Sequence, residues 1–247
     1  MDLYQWMAQQ EAPHEPEFLD LEPNTVFVGE TLTSVPLTVE VQQFQREDGT
    51  VDLAGRLVIA LAPIGAVGSV PAPKGGSRYG LVSACNYKGF RGFELNSWQD
   101  DPAGGKDAKG RAKRVPDSAQ LAPELKGLFN CLLSCGMPKG SPEADAARWK
   151  HTMELAALAA AESNADPAAY EQQGWTPAMI TAQLLYLAVN KQPCRVVAKT
   201  RTVTAAAYTN QKTGEEVPAR DRLTFGSWSD ATEDNLKAKN LVVWEGR

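Results

Sequence analysis

Residues 194–203, CRVVAKTRTV, decide the fold and the function that we expect for this chain. β-Branched residues recur through the stretch, which is typical of a β-strand. Because alternate residues of a strand share a face, its cations should lie on one side and its small residues on the other. The expected basic side consists of Arg195, Lys199 and Arg201 with Val197 between them, and the expected inward side of Cys194, Val196, Ala198, Thr200 and Thr202.

A partner strand is expected at residues 222–228, after a turn at 210–214. Alternation places Arg220, Arg222, Thr224 and Trp228 on one face of it and Leu223 and Phe225 on the other. If the two strands pair as a hairpin, arginines from both stand side by side near Trp228. Like charges aligned across strands are destabilising, so such a surface suggests an anionic partner. Cations that follow phosphates, with aromatic rings on which bases stack, are typical of single-strand binding. The alternative is a solvated sheet face.

A second candidate contact is YKGFRGF at residues 87–93. Its two glycines would let a nucleic-acid backbone approach closely, or would form bulges. Three of its side chains would share a strand face, namely Tyr87, Arg91 and Phe93. The alternative is a bulged core strand with buried aromatic rings. The contacts predicted from these segments are Tyr87, Lys88, Phe90, Arg91, Phe93, Arg195, Lys199, Arg201, Arg220, Arg222 and Trp228.

The order of the predicted elements indicates the architecture. Strands are expected at 25–44, 51–61 and 78–98, then three or four helices between about 119 and 190, then the two late strands. Helix starts are marked by Ser141-Pro142, Asp166-Pro167 and Thr176-Pro177. The OB-fold, a partly open five-stranded barrel, has this order: three strand regions, a helical segment and two further strand regions.

We therefore predict an α+β protein with an OB-like antiparallel β-barrel and a helical insertion between the third and fourth strand regions. Residues 1–23, with three prolines among acidic residues, are expected to form an extended arm. Residues 24–247 are expected to form one domain, with the insertion at about 119–190.

Composition excludes several classes of protein. The 247 residues are 43% hydrophobic with a formal net charge of −5, which argues against disorder and low complexity. No stretch reaches the roughly 20 apolar residues of a membrane span, and the acidic amino terminus is unlike a secretory signal. The four cysteines then predict a reduced compartment, the cytoplasm, without disulfides.

Motifs for catalysis and cofactor binding are also missing. The chain has two histidines and no GxxxxGK[ST] or GxGxxG sequence, so we expect no enzyme and no cofactor. The cysteines form no CxxC pair, although Cys131 and Cys135 would lie on one helix face. Paired acids, such as Asp221 with Asp230, leave open a carboxylate-metal nuclease.

Four parts of the chain carry a resemblance to a known family. They are FLDLEP at 18–23, the strand pair around Gly49, LLSCG at 132–136, and PCRVV at 193–197 with the turn Lys212-Thr213-Gly214. The layout resembles phage-encoded single-stranded DNA-binding proteins of OB-fold type. The resemblance implies largely sequence-independent binding that supports replication or recombination in the host cytoplasm, with Lys212 among the contacts. Many such proteins end in an acidic tail, whereas this chain ends in WEGR at 244–247.

The rival hypothesis is a structural protein of a virion. Residues 1–60 carry eleven acids and two bases, whereas five cations cluster at 106–114. In this hypothesis the acidic arm docks on the basic loop of a neighbouring subunit, which gives a homo-oligomer.

Overall fold

The structure is a computed structural model, and it describes residues 22–31, 38–45, 51–68, 81–86, 95–205, 207–210 and 213–244. Within these ranges the strands are β1 (Val26–Thr31), β2 (Thr38–Gln45), β3 (Val51–Val67), β4 (Leu81–Asn86), β5 (Asn96–Asp100), β6 (Arg114–Leu121), β7 (Arg195–Ala205), β8 (Tyr208–Thr209), β9 (Glu216–Val217), β10 (Arg220–Asp230) and β11 (Leu241–Val243). The helices are α1 (Pro123–Leu133), α2 (Pro142–Glu162), α3 (Pro167–Gln172), α4 (Pro177–Val189) and α5 (Glu233–Ala238). The predicted α+β class, with helices between the early and late strands, is confirmed.

A seven-stranded antiparallel sheet forms the centre of the fold. Its main path runs β10-β7-β1-β3-β11, and β2 and β4 also pair with β3. Four of these strands, β1, β3, β4 and β7, can be numbered 1 to 4 in chain order. Their order across the sheet is then 4-1-2-3, which is that of a Greek key. β10 contacts β4 as well as β7, but within the described ranges no ladder joins β10 to β4, so the described strands form an open sheet and not the closed barrel.

β3 is longer than the sequence pattern indicates. We expected the strand to end at residue 61, because Pro63 follows, yet it continues to Val67. Pro63 is tolerated because the β1–β3 register shifts there: Val28 faces Gly65 and Gly29 faces Pro63, which leaves Ile64 as an extra residue. Bulges are among the few places in a sheet that accept proline.

The β5–β6 hairpin is a second difference from the sequence analysis. Residues 114–121 form a strand paired with β5, where we expected a loop followed by the first helix. Leu121, which helical spacing assigns to the helix, is buried at the end of β6. Helix α1 begins at Pro123, since proline is suited to a helix's first turn.

The predicted helix starts are confirmed by side-chain caps. Ser141 Oγ accepts a hydrogen bond from the Ala144 amide at 3.1 Å, and Thr176 Oγ1 accepts one from the Met179 amide at 3.3 Å. Asp166 caps α3 in the same way. Each cap satisfies an amide that the helix itself leaves unpaired.

The helices cover one face of the sheet. Phe27 of β1 and Phe225 of β10 meet there edge to face, and the same core includes Phe129 of α1 and Tyr186 of α4. A smaller core on the other face contains Val28, Ile64, Val197 and Leu241, with α5 packed against it. The described helices are each too short or too polar to cross a bilayer.

Candidate nucleic-acid interface

The two late strands pair as expected. β7 and β10 are antiparallel, with Gly226 opposite Lys199 and Thr224 opposite Arg201. The same register sets Arg222 against Val203 and Arg220 against Ala205. Residues directly opposite each other share a face of the ladder, as do residues two apart along a strand. The register positions of Lys199, Arg201, Arg220 and Arg222 therefore share one face, which we call the basic face. Of Arg220 and Arg222 the structure describes only the backbone pairing.

Lys199 and Arg201 differ from most of the other lysines and arginines whose side chains the structure describes. Both are exposed, and neither forms an ion pair with a carboxylate of the described residues. By contrast, nine other lysines and arginines have a carboxylate oxygen within 4.0 Å; they are Arg111, Lys113, Arg114, Lys139, Arg148, Lys150, Lys191, Arg195 and Lys237. The basic face thus keeps positive charge that neighbouring acids do not offset.

Arg195 lies on the same side of β7 as Lys199, as alternation predicts, but its charge is compensated. It lies opposite Glu30 of β1, and its Nε donates to Glu30 Oε2 at 2.8 Å. Between Arg195 and Lys199 stands Val197, which is only 2% exposed because the smaller core and α5 cover it. Arg195 is therefore compensated by Glu30, and the smaller core around Val197, which we call the apolar cap, separates it from Lys199.

Trp228 also lies elsewhere than expected. Gly226 pairs with Lys199 and Ser229 with Val197, so β10 has one residue more than β7 in this interval. Ser227 lies in this bulge and has a positive φ of 57°, which is unusual for a residue other than glycine. The bulge reverses the alternation, and the Trp228 ring packs against the main core with its centroid 5.5 Å from that of Phe225. The prediction that Trp228 shares a face with Arg222 is wrong. A glycine inside a strand pattern is a known sign of a bulge, and Gly226 was that sign.

Several predicted contacts lie outside the described residues. These are Tyr87, Lys88, Phe90, Arg91, Phe93 and Lys212. Their part in binding stays a prediction. Residues 1–21 of the predicted arm are likewise outside the described ranges.

The basic loop at 106–114 is largely compensated by its own hairpin. Asp107 accepts hydrogen bonds from the Arg111 amide at 2.9 Å and the Arg111 Nε at 2.9 Å, and these hold the pKa of its carboxyl below the usual value. Lys113 pairs with Asp101 at 3.3 Å, and Arg114 with Asp100 at 3.9 Å. Three of the loop's five cations therefore have local partners, which weakens it as a docking surface for an acidic arm.

The acids considered for a nuclease site are engaged elsewhere. Asp230 is buried between Arg148 and Lys139, whereas Asp221 accepts a hydrogen bond from Thr204 Oγ1 at 2.6 Å. In the described ranges no three or more His, Cys, Asp or Glu residues come together as a possible metal site. Burial, with a smaller contribution from Asp230, raises the pKa of Cys131 to about 12, which disfavours the thiolate that a metal would need.

Comparison with known proteins finds no match for this chain among family models, curated proteins or solved structures. The β7–β10 ladder is the part of the molecule whose geometry best indicates a function. Its distinctive feature is a cationic surface on a sheet whose other face is packed against helices.

Proposed function

We propose that this chain binds single-stranded DNA through the basic face, without catalysis and largely without sequence preference, in support of replication or recombination. The observation that carries the proposal is the register of β7 and β10, which brings four cationic positions together. Lys199 and Arg201 among them are exposed and have no carboxylate partner in the part of the chain that the structure describes. Neighbouring like charges on paired strands cost stability. Phosphates offset that cost, and the release of their counterions favours binding.

The strand order supports an OB-like architecture for this binder. A Greek key of β7-β1-β3-β4 is extended by β10, and the two ends of this array, β4 and β10, contact each other. The OB-fold is a partly open five-stranded Greek-key barrel that binds oligonucleotides. The helical segment from α1 to α4 lies between β4 and β7, where we predicted the insertion.

The described helices give little support to duplex recognition. Reading the major groove requires an element whose cationic and polar side chains reach base edges. On α2, Arg148 is buried and Lys150 lies 4.0 Å from Glu154; on α5, Lys237 pairs with Glu233 at 2.6 Å. Lys126 of α1 lies over the Trp149 ring, 5.5 Å from its centroid. Lys199 and Arg201 are instead exposed on a sheet, which favours a single strand laid across that surface.

Salt-dependent binding of oligo-dT tests the proposal. Four phosphate contacts should give a slope of log affinity against log salt of about −2.8, since each contact contributes about −0.7 on single strands. The double variant Lys199→Ala/Arg201→Ala should reduce the slope to about −1.4. Lys237→Ala, which removes a paired cation from α5, is the matched control and should bind like the wild type. Salt-insensitive binding, or no binding at low salt, would overturn the proposal.

Removal of the acidic arm separates this proposal from the assembly hypothesis. Thr200 Oγ1 donates to the Glu22 carbonyl at 2.6 Å, so the truncation should keep Glu22 and delete residues 1–21. A DNA-binding protein should keep its oligo-dT affinity and its mass in light scattering. An assembly protein should lose its oligomeric state.

A further inference from the structure

Gly226 lies beneath the side chain of Arg201. A carbon atom placed at the missing Cβ position of Gly226 would be 3.8 Å from Arg201 Cζ and 3.9 Å from Arg201 Nε. Gly226 is buried, whereas Arg201, on the neighbouring strand, is exposed. The arginine side chain therefore reaches across the ladder and covers the glycine.

These distances also define the orientation of the guanidinium group. Its two Nη atoms lie more than 4 Å from the same Cβ position, while Cζ and Nε lie within 4 Å. The guanidinium group is planar. If the Cβ position lay in that plane on the side of the Nε hydrogen, an Nη atom would be at least as close to it as Cζ. If it lay in the plane on the opposite side, Cδ would be at least as close. Gly226 thus faces the flat side of the guanidinium. Since Arg201 is exposed, the opposite flat side is the one that solvent reaches.

Position 226 requires a small residue beneath Arg201 and not the backbone freedom of glycine. The positive φ of the bulge belongs to Ser227, at 57°, and Gly226 itself has no left-handed φ. The atoms of the described residues nearest to its missing Cβ belong to Arg201 alone. A larger side chain at 226 would therefore mainly lift the guanidinium off the sheet.

We infer that Arg201, lying flat on Gly226, is the surface on which a base of the single strand stacks; the inference rests on the proposed function. The bulge turns Trp228 into the core, so Trp228 is not the stacking ring that the sequence indicated. Arginine planes stack on nucleobases much as aromatic rings do, and they add a positive charge. Lys199, opposite Gly226, stands beside this plane as a neighbouring phosphate contact.

The substitution Arg201→Lys tests the inference because it keeps the charge and removes the plane. Affinity is measured by fluorescence anisotropy with labelled oligo-dT and with an abasic oligomer of the same length, which has the phosphates without the bases. We expect Arg201→Lys to weaken oligo-dT binding about 5- to 150-fold, the range for loss of one stacked base. Binding of the abasic oligomer should change less than about twofold, since the charge is retained.

A second pair of variants tests the role of Gly226. Valine suits a β-strand, so the melting temperature of Gly226→Val should match or exceed that of the wild type. The variant should lose affinity for oligo-dT but not for the abasic oligomer, because its valine lifts the Arg201 guanidinium off the sheet. Gly226→Ala places a methyl group at ordinary contact distance and should bind like the wild type.

The outcomes distinguish the inference from the proposed function. Equal losses on both oligomers for Arg201→Lys, or full oligo-dT affinity in folded Gly226→Val, would overturn the stacking role while leaving the DNA-binding proposal intact. Failure of the wild type to bind either oligomer would overturn both.

Discussion

Arg148 Nη2 lies 2.5 Å from Asp230 Oδ1, and the side chains of both residues are about 5% exposed. The pair joins α2 to the last residue of β10, 82 positions later in the chain. Lys139 completes the site at 2.8 Å from Asp230 Oδ2, and the Asn130 carbonyl accepts a hydrogen bond from Arg148. The helical segment is thereby fixed to the strand that carries the bulge and part of the basic face.

Breaking this buried pair should destabilise the fold. Asp230→Ala leaves the Arg148 charge buried without its partner, so we expect the free energy of unfolding to fall by about 3–5 kcal/mol. Urea denaturation of Asp230→Ala against the exposed control Glu233→Ala measures the difference. The double variant Arg148→Met/Asp230→Leu should recover most of the loss, because it removes both charges. A loss below about 1 kcal/mol for Asp230→Ala would contradict a buried, desolvated pair.

Arg195 should contribute little to DNA binding. It is paired with Glu30 and separated from Lys199 by the buried Val197. Arg195→Ala should leave the salt slope for oligo-dT unchanged, whereas Arg201→Ala should reduce its magnitude by about 0.7. The pair is partly exposed, so stability should change by no more than about 1 kcal/mol. Equal slope changes for the two variants would show that the phosphate path crosses the apolar cap.

Trp228 should contribute to the stability of the fold and not to DNA binding. Trp228→Ala removes a half-buried ring from the main core, and we expect a loss of about 2–3 kcal/mol, less than the 3–5 typical of full burial. Trp228→Phe should preserve oligo-dT affinity within about twofold while keeping most of the packing. A large loss of affinity in Trp228→Phe at unchanged stability would restore the stacking role that the sequence suggested.

Alkaline pH should weaken the fold through two buried thiols. Burial, reinforced by nearby Asp230 for Cys131 and Glu30 for Cys194, raises their pKa values from 9.0 to about 12 and about 11. The unfolded chain then releases protons first as pH rises above 9, so this contribution to stability is lost between pH 9 and about 11–12. Each thiol should lower the free energy of unfolding by up to about 1.4 kcal/mol per pH unit in that window.

Denaturation at pH 8, 9 and 10 tests this dependence. Cys131→Ala should show a shallower decline between pH 9 and 10 than the wild type, and the same comparison applies to Cys194→Ala. Parallel curves for the wild type and both variants would contradict the raised pKa values.

Much of the local structure was predictable because it depends on neighbours in sequence. The caps at Ser141, Asp166 and Thr176 accept hydrogen bonds from amides two or three residues away, so short sequence motifs predict them. Part of the basic face was predictable, because alternation along β7 grouped Lys199 with Arg201 correctly. The same alternation failed at Ser227, since one extra residue moves every later side chain of β10 to the other face.

Patterns within the chain were enough to predict that β7 has a cationic and an inward face, that helices follow the early strands, and where those helices begin. Which cations have a carboxylate partner became visible only in the folded molecule. Glu30 lies 165 residues from Arg195, and Val197 is covered by a core that includes Leu241. Ion pairing and burial depend on which distant segments meet, and no periodicity within a segment contains that information.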